Sequence, residues 1–259
     1  MGYLEREVMV EEGGNNLPSR SIVANRLLIV GDSLAMGAAE VSNADVVRFI
    51  SPAFPDLLRT MLPQLDIVLS CGVRHDTDTA RKQVPGLLET HRPAVVLFAV
   101  GGSDVDLDWR KAILSNGRRT RSRVSIGDYQ NNLRSIVATT RAAGAKPILI
   151  EGTSSCLAIR GIYLGRLSGL DVNAMIAAGG GQETNDVRVE KYREIVRRVA
   201  AELDVDLIPS PGVLASEDPH IIFTEDGVHL SVFAHRFLAA AYATGIRRAL
   251  GLPADSALT

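Results

Sequence analysis

Five short apolar runs, each followed by small polar residues, constrain the fold of this chain more than any other feature. They are RLLIV (26–30), DIVLS (66–70), AVVLFAV (94–100), PILIEG (147–152) and VDLIP (205–209). Runs this short, with little polar alternation, suit strands buried on both faces, as in a parallel sheet. Helical signals lie between them: PDLLRTML (55–62), TARKQVPGLLETH (79–91, weakened by Pro85), DYQNNLRSIVATTRAAG (128–144), NDVRVEKYREIVRRVAAELD (185–204) and SVFAHRFLAAAYATGIRRALG (231–251). In the fourth, Val189, Tyr192, Ile195, Val196, Val199 and Leu203 recur at helical spacing. VVRFI (46–50) is open as a further strand. Strands alternating with helices predict an α/β fold with helices on both faces of the sheet and right-handed crossovers.

Sites in such sheets collect at the carboxyl ends of the strands. The residues found there are GDSL (31–34), SCGVRHDT (70–77), GGSD (101–104), EGTSS (151–155) and, before the last helix, EDGVHLS (225–231). Ser33 is expected at a strand-to-helix turn, where free amides and the helix dipole favour a developing negative charge. A serine nucleophile needs a base and a group that orients the base. Asp226 and His229, three residues apart, offer both: the carboxylate reaches one ring nitrogen and leaves the other to face the serine. Read alone, GDS is a helix cap and DGVH a turn. Their joint order along one rim carries the argument.

That order resembles the SGNH hydrolases, the GDSL-type esterases and lipases, over residues 26–250. The resemblance implies a three-layer α/β/α sandwich on a mainly parallel, flavodoxin-like sheet of about five strands. The catalytic domain is expected at 25–252, between tails at 1–24 and 253–259. It implies Ser33 as nucleophile, His229 as base and Asp226 as its orienter. It implies that the Gly72 amide helps bind the oxyanion, and that Ser103 stands where the family has an asparagine donor. Ser70 likewise replaces an asparagine. Asp32 and His75 join Gly72 and Ser103 as residues expected beside the oxyanion or the substrate, His75 reading equally as a polar loop residue. The implied reaction is hydrolysis of an acyl ester or thioester through an acyl-enzyme on Ser33. Acyl transfer by the same triad to a small or carrier-linked metabolite is the alternative, and a non-catalytic binding module on the same fold is a further one.

A net charge of −2 gives no drive toward nucleic acid or an anionic membrane. The first 24 residues are polar and acidic, without the basic start and apolar stretch of a signal peptide. Cys71 and Cys156 are too few for a disulfide framework, so a reducing cytoplasm is expected. Cys71, beside Gly72, reads as a small buried apolar residue rather than a reactive thiol. No His, Cys, Asp and Glu cluster has metal-ligand spacing, and the glycines fit neither a Rossmann nor a P-loop fingerprint, so no metal or cofactor is expected. Arg110, Lys111, Arg118, Arg119, Arg121 and Arg123 form a basic segment after the third strand. It reads either as a solvated loop or as a device to capture an anionic or carrier-linked acyl substrate. Segment 156–185, ending in Gly179-Gly180-Gly181, reads either as a lid or substrate wall with a hinge or as a short packed helix with a flexible connector.

Overall fold

A computed structural model describes residues 21–41, 47–115 and 121–253 of the chain. β1 (Val23–Gly31) begins inside the expected N-terminal tail, because the Val23 amide donates to the Arg92 carbonyl at 2.8 Å. Residues 1–20 and 254–259 lie outside the described residues. The Ala-rich stretch after Ser33 is a turn, not the expected helix. It closes with the Ala38 amide on the Ser33 carbonyl at 2.9 Å and leads into β2 (Ala38–Val41). Gly37, at φ 73°, ends the turn in a left-handed conformation. β2 pairs antiparallel with β3 (Val47–Phe49), so the open segment 46–50 does hold a strand, in a hairpin outside the main sheet.

From there the chain alternates as its pattern predicts: α1 (Phe54–Met61), β4 (Asp66–Cys71), α2 (Thr77–His91), β5 (Pro93–Ala99), the short α3 (Gly102–Val105) and α4 (Trp109–Leu114), then α5 (Ile126–Ala142) and β6 (Lys146–Ile150). There follow α6 (Leu157–Ser168), α7 (Val172–Ala178), α8 (Gly181–Glu202), β7 (Asp206–Ile208), α9 (Val213–Ser216), α10 (Pro219–Ile222) and α11 (Val232–Leu250). α2 runs through Pro85, which lies on its exposed side, where water can replace the lost backbone bond.

The five apolar runs form one parallel sheet in the order β4-β1-β5-β6-β7. This is the doubly wound, flavodoxin-like order, and its switch point falls between β1 and β5. Alternate residues of each strand feed opposite faces. Leu27, Ile29, Leu97 and Ile148 pack on Phe54 and Leu58 of α1 and on Leu238, Tyr242 and Ile246 of α11. Leu28, Val30, Val96, Phe98 and Leu149 pack on α2, α5 and α8, through Val84, Leu133, Ile136, Tyr192 and Val196 among others. A third, smaller cluster lies apart from both: Leu107, Trp109 and Ala112 against Leu157, Tyr163, Leu164 and Val172. It joins α4 to α6 and α7, and α6 of segment 156–185 walls the cavity described below. Among the described residues no helix is long and apolar enough to cross a membrane.

Candidate active site

β1 and β5 end side by side at the switch point, which puts GDSL next to GGSD. The Ser33 amide donates to no protein acceptor among the described residues. Its hydroxyl oxygen lies 2.8 Å from His229 Nε2, and His229 Nδ1 lies 2.6 Å from Asp226 Oδ2. All three residues are buried, yet all three line a cavity of about 840 Å³.

The acid loop is built to hold this geometry. Thr224 anchors it to β2, donating its hydroxyl to the Ala39 carbonyl at 2.7 Å, while its amide takes the His229 carbonyl at 2.8 Å. Asp226 Oδ1 accepts the amides of Val228 and His229, each at 2.9 Å. Burial alone would push the Asp226 carboxyl up, but the hydrogen bond and charge of His229, with the Arg160 guanidinium, hold it down to about 2. Asp226 is therefore ionised across the neutral range.

Ser103 faces the same cavity rather than the core. Asp32 lines the cavity but is turned toward the protein. It is 4% exposed, its carboxylate accepts the Leu34 amide at 3.0 Å, and its Oδ2 lies against Gly102, 3.3 Å from where a Cβ would stand. It braces the Ser33 turn against GGSD. Burial pushes its carboxyl up to about 6, opposed by the Leu34 amide and by the charge of His229. Gly72 departs from expectation. Its amide donates to the Gly31 carbonyl at 3.2 Å, extending the β1–β4 ladder by one residue, so it has no proton left for an oxyanion. The wall of the cavity on this side is Val73 and Arg74. Their amides donate to no acceptor among the described residues, and Arg74 adopts a left-handed φ of 62°. His75 folds its ring over Gly72, where a Cβ would meet Nε2 at 2.2 Å, and does not line the cavity. Cys71 is inert: burial and the charge of Asp32 push its thiol up to about 12.

Of the basic segment, Arg123 lines the cavity and Lys111 pairs with Asp108 at 2.8 Å. Arg118 and Arg119 lie outside the described residues. The remaining wall is mixed: Val105, Trp109, Ile113, Leu164 and Leu167 are apolar, while Asp106, Asp108, Ser154, Ser155 and Asn185 are polar. Among the described residues no group of three or more His, Cys, Asp or Glu side chains is placed to hold a metal ion.

Sequence reasoning did not single out two further residues around the site. One is Arg160 on α6, beside Asp226. The other is Asp104, the last residue of GGSD, fully buried. It accepts the Thr77 amide at 3.0 Å and the Thr77 hydroxyl, tying the Ser103 turn to the start of α2. Burial pushes its carboxyl up to about 7 against these donors. Asp104→Ala strands the Thr77 donors in the interior, and urea unfolding is expected to read a loss of about 2–3 kcal/mol. A variant as stable as the parent would mean that the Thr77 donors find other acceptors.

Residues 29–237 match the GDSL-like lipase/acylhydrolase family. The chain belongs to this family. Members of known structure share its architecture. TesA superposes with a TM-score of 0.58 at 20% identity, over 86% of this chain and 99% of that one. A lipase/acylhydrolase from Enterococcus faecalis gives 0.61 at 15% identity, over 86% and 96%. A catalytic mutant of Axe2, an acetylxylan esterase from Geobacillus stearothermophilus, gives 0.58 at 18% identity, over 91% and 97%. At these identities the likeness establishes the fold. No curated protein matches the sequence.

Proposed function

We propose that this chain is a serine acyl-ester hydrolase that works through an acyl-enzyme on Ser33. The observation that carries the reading is the continuous hydrogen-bonded path from Ser33 Oγ through His229 to Asp226, opening on the cavity at the switch point. Ser33 attacks the acyl carbonyl while His229 Nε2 takes its proton. The proton then passes to the leaving alcohol or thiol, and water enters by the reverse steps. Asp226 holds Nδ1 protonated and offsets the charge of the imidazolium. The oxyanion is met by the Ser33 amide, by the free amides of Val73 or Arg74 and by the Ser103 hydroxyl. The apolar patches of the wall, Val105, Trp109, Ile113, Leu164 and Leu167, suit an acyl chain, and Arg123 among the polar residues suits an anionic or carrier-linked substrate. An intact Ser-His-Asp path weighs against the reading as a binding module. Acyl transfer uses the same residues and differs only in what resolves the acyl-enzyme.

The test is turnover of p-nitrophenyl esters of increasing chain length, with mass spectrometry of the Ser33 peptide to catch the acyl adduct. Adding a competing alcohol or amine separates hydrolysis from transfer by the product ratio. Absence of both turnover and adduct across the series would overturn the reading. Ser103→Asn extends the donor at the oxyanion by one bond. It is expected to raise kcat on p-nitrophenyl acetate by about tenfold or more, given that one oxyanion donor is worth about 10²–10³. An unchanged kcat would take residue 103 out of the oxyanion site.

A further inference from the structure

We infer that Arg160, in the first turn of α6, is a positioning residue for the proton relay: it fixes Asp226 and offsets the negative charge that His229 meets. The inference rests on the reading of Ser33, His229 and Asp226 as the reacting triad.

Arg160 holds Asp226 at two points. Its Nη1 lies 3.5 Å from Asp226 Oδ2, the oxygen that also takes His229 Nδ1, and donates to the Asp226 backbone carbonyl at 3.3 Å. The guanidinium is laid against the Tyr163 ring, 5.7 Å from its centroid, and the side chain is 14% exposed. Asp226 is its one ion-pair partner among the described residues. Its Nε is buried without a hydrogen-bond partner, a cost that a side chain chosen for stability alone would avoid.

The backbone leaves this arrangement no slack. Gly227, at φ 71°, lies so close under α6 that a Cβ would stand 2.5 Å from the Arg160 nitrogen and 2.6 Å from the Cys156 carbonyl oxygen. The Cys156 amide donates to the Gly227 carbonyl at 2.8 Å. The acid loop and the start of α6 therefore move together. Arg160, Leu164 and Leu167, spaced i, i+4 and i+7, share the face of α6 that lines the cavity. One helix thus walls the substrate and grips the acid.

The charges around His229 give the sign of the effect. Asp226 faces it on its own loop and Asp32 from the end of β1, and both carboxylates favour the imidazolium. From α11 it meets His235, which burial pushes down to about 4 and keeps neutral. Tyr163 of α6, near Asp226, is held neutral as well, its phenol raised by burial. Arg160 supplies the opposing positive charge. It offsets part of the carboxylate field at the ring.

The experiment is the pH profile of kcat/KM on a soluble p-nitrophenyl ester for Arg160→Met and Arg160→Lys beside the parent. For Arg160→Met the acid limb is expected to move up by about 0.5–1 pH unit. Its kcat should fall about tenfold with KM nearly unchanged, the mark of an interaction made mainly in the transition state. Arg160→Lys, which restores the charge, should return the limb to the parent position. If Arg160→Met fails to fold, Arg160→Gln is read in the same way, since it keeps a donor for the Asp226 carbonyl and drops the charge. An unmoved acid limb, or a rise in KM alone, overturns the inference. Full activity in Ser33→Ala would instead overturn the triad on which it rests, so the two failures are separable.

Discussion

Ser33→Ala is expected to lower ester turnover by about 10⁴–10⁶-fold and to abolish labelling by a fluorophosphonate, while the protein stays folded. The loss is large because the serine, the imidazole and the carboxylate act as one unit, and removing the nucleophile forfeits nearly all of its contribution. The fold should survive because the hydroxyl makes its one hydrogen bond, among the described residues, to His229 Nε2. The backbone groups of Ser33 that shape the turn are untouched: its carbonyl still accepts the Ala38 amide. No neighbouring group can take over. The Cys71 thiol lies beside Gly31 at the end of the adjacent strand, but burial and the Asp32 charge push it up to about 12, so almost none is thiolate near neutral pH. The check is steady-state kinetics, mapping of the labelled peptide and a thermal melt on the same preparation. Turnover within tenfold of the parent, or a label on another residue, would remove Ser33 from the mechanism.

The parts of this site that were legible in the sequence are those that the sheet itself positions. An apolar strand ending in GDSL, a second ending in GGSD and a DGVH turn before the last helix must share the carboxyl rim of a doubly wound sheet. That rule alone brings Ser33 to His229, 196 positions away. What was not legible depends on hydrogen bonds that no local pattern announces. Gly72 has the right residue type in the right block, yet the β4 ladder runs one residue further than DIVLS suggests. That extra rung consumes the Gly72 amide and shifts the turn to Val73 and Arg74. LAMGAAE favours a helix by propensity, but Gly37 stops the turn and pairing with β3 draws Ala38–Val41 into a strand. Arg160 is one of two arginines in an otherwise largely apolar α6. Only the packing of α6 on Gly227 gives it a partner. Asp104 had a signal, its place in GGSD, but its role is set by Thr77, 27 residues earlier.

Asp226→Asn is expected to lower kcat by about 10³–10⁴-fold with little change in KM. The surroundings of the side chain dictate why an isosteric change costs so much. Oδ1 accepts two donors, the amides of Val228 and His229. An asparagine must turn its carbonyl oxygen to these, because its NH₂ group offers no acceptor there. The NH₂ then faces His229 Nδ1, which sat 2.6 Å from the carboxylate oxygen in the parent. Donor now meets ring nitrogen, so Nδ1 becomes the acceptor and the imidazole proton moves to Nε2. With Nε2 protonated and 2.8 Å from Ser33 Oγ, the ring donates to the serine and has no lone pair to receive its proton. The same NH₂ also confronts the Arg160 guanidinium, which loses its ion pair with Oδ2. The variant therefore keeps the loop and loses the base. Because the parent carboxyl is held down to about 2, acid does not reproduce this defect until far below the neutral range. Two measurements check the argument: kcat and KM for the variant, and a nitrogen-resolved NMR spectrum of the His229 ring at neutral pH. The resonances should exchange tautomer between parent and variant. A variant with the parent tautomer and a kcat within about tenfold of the parent would show that Asp226 does not orient the base.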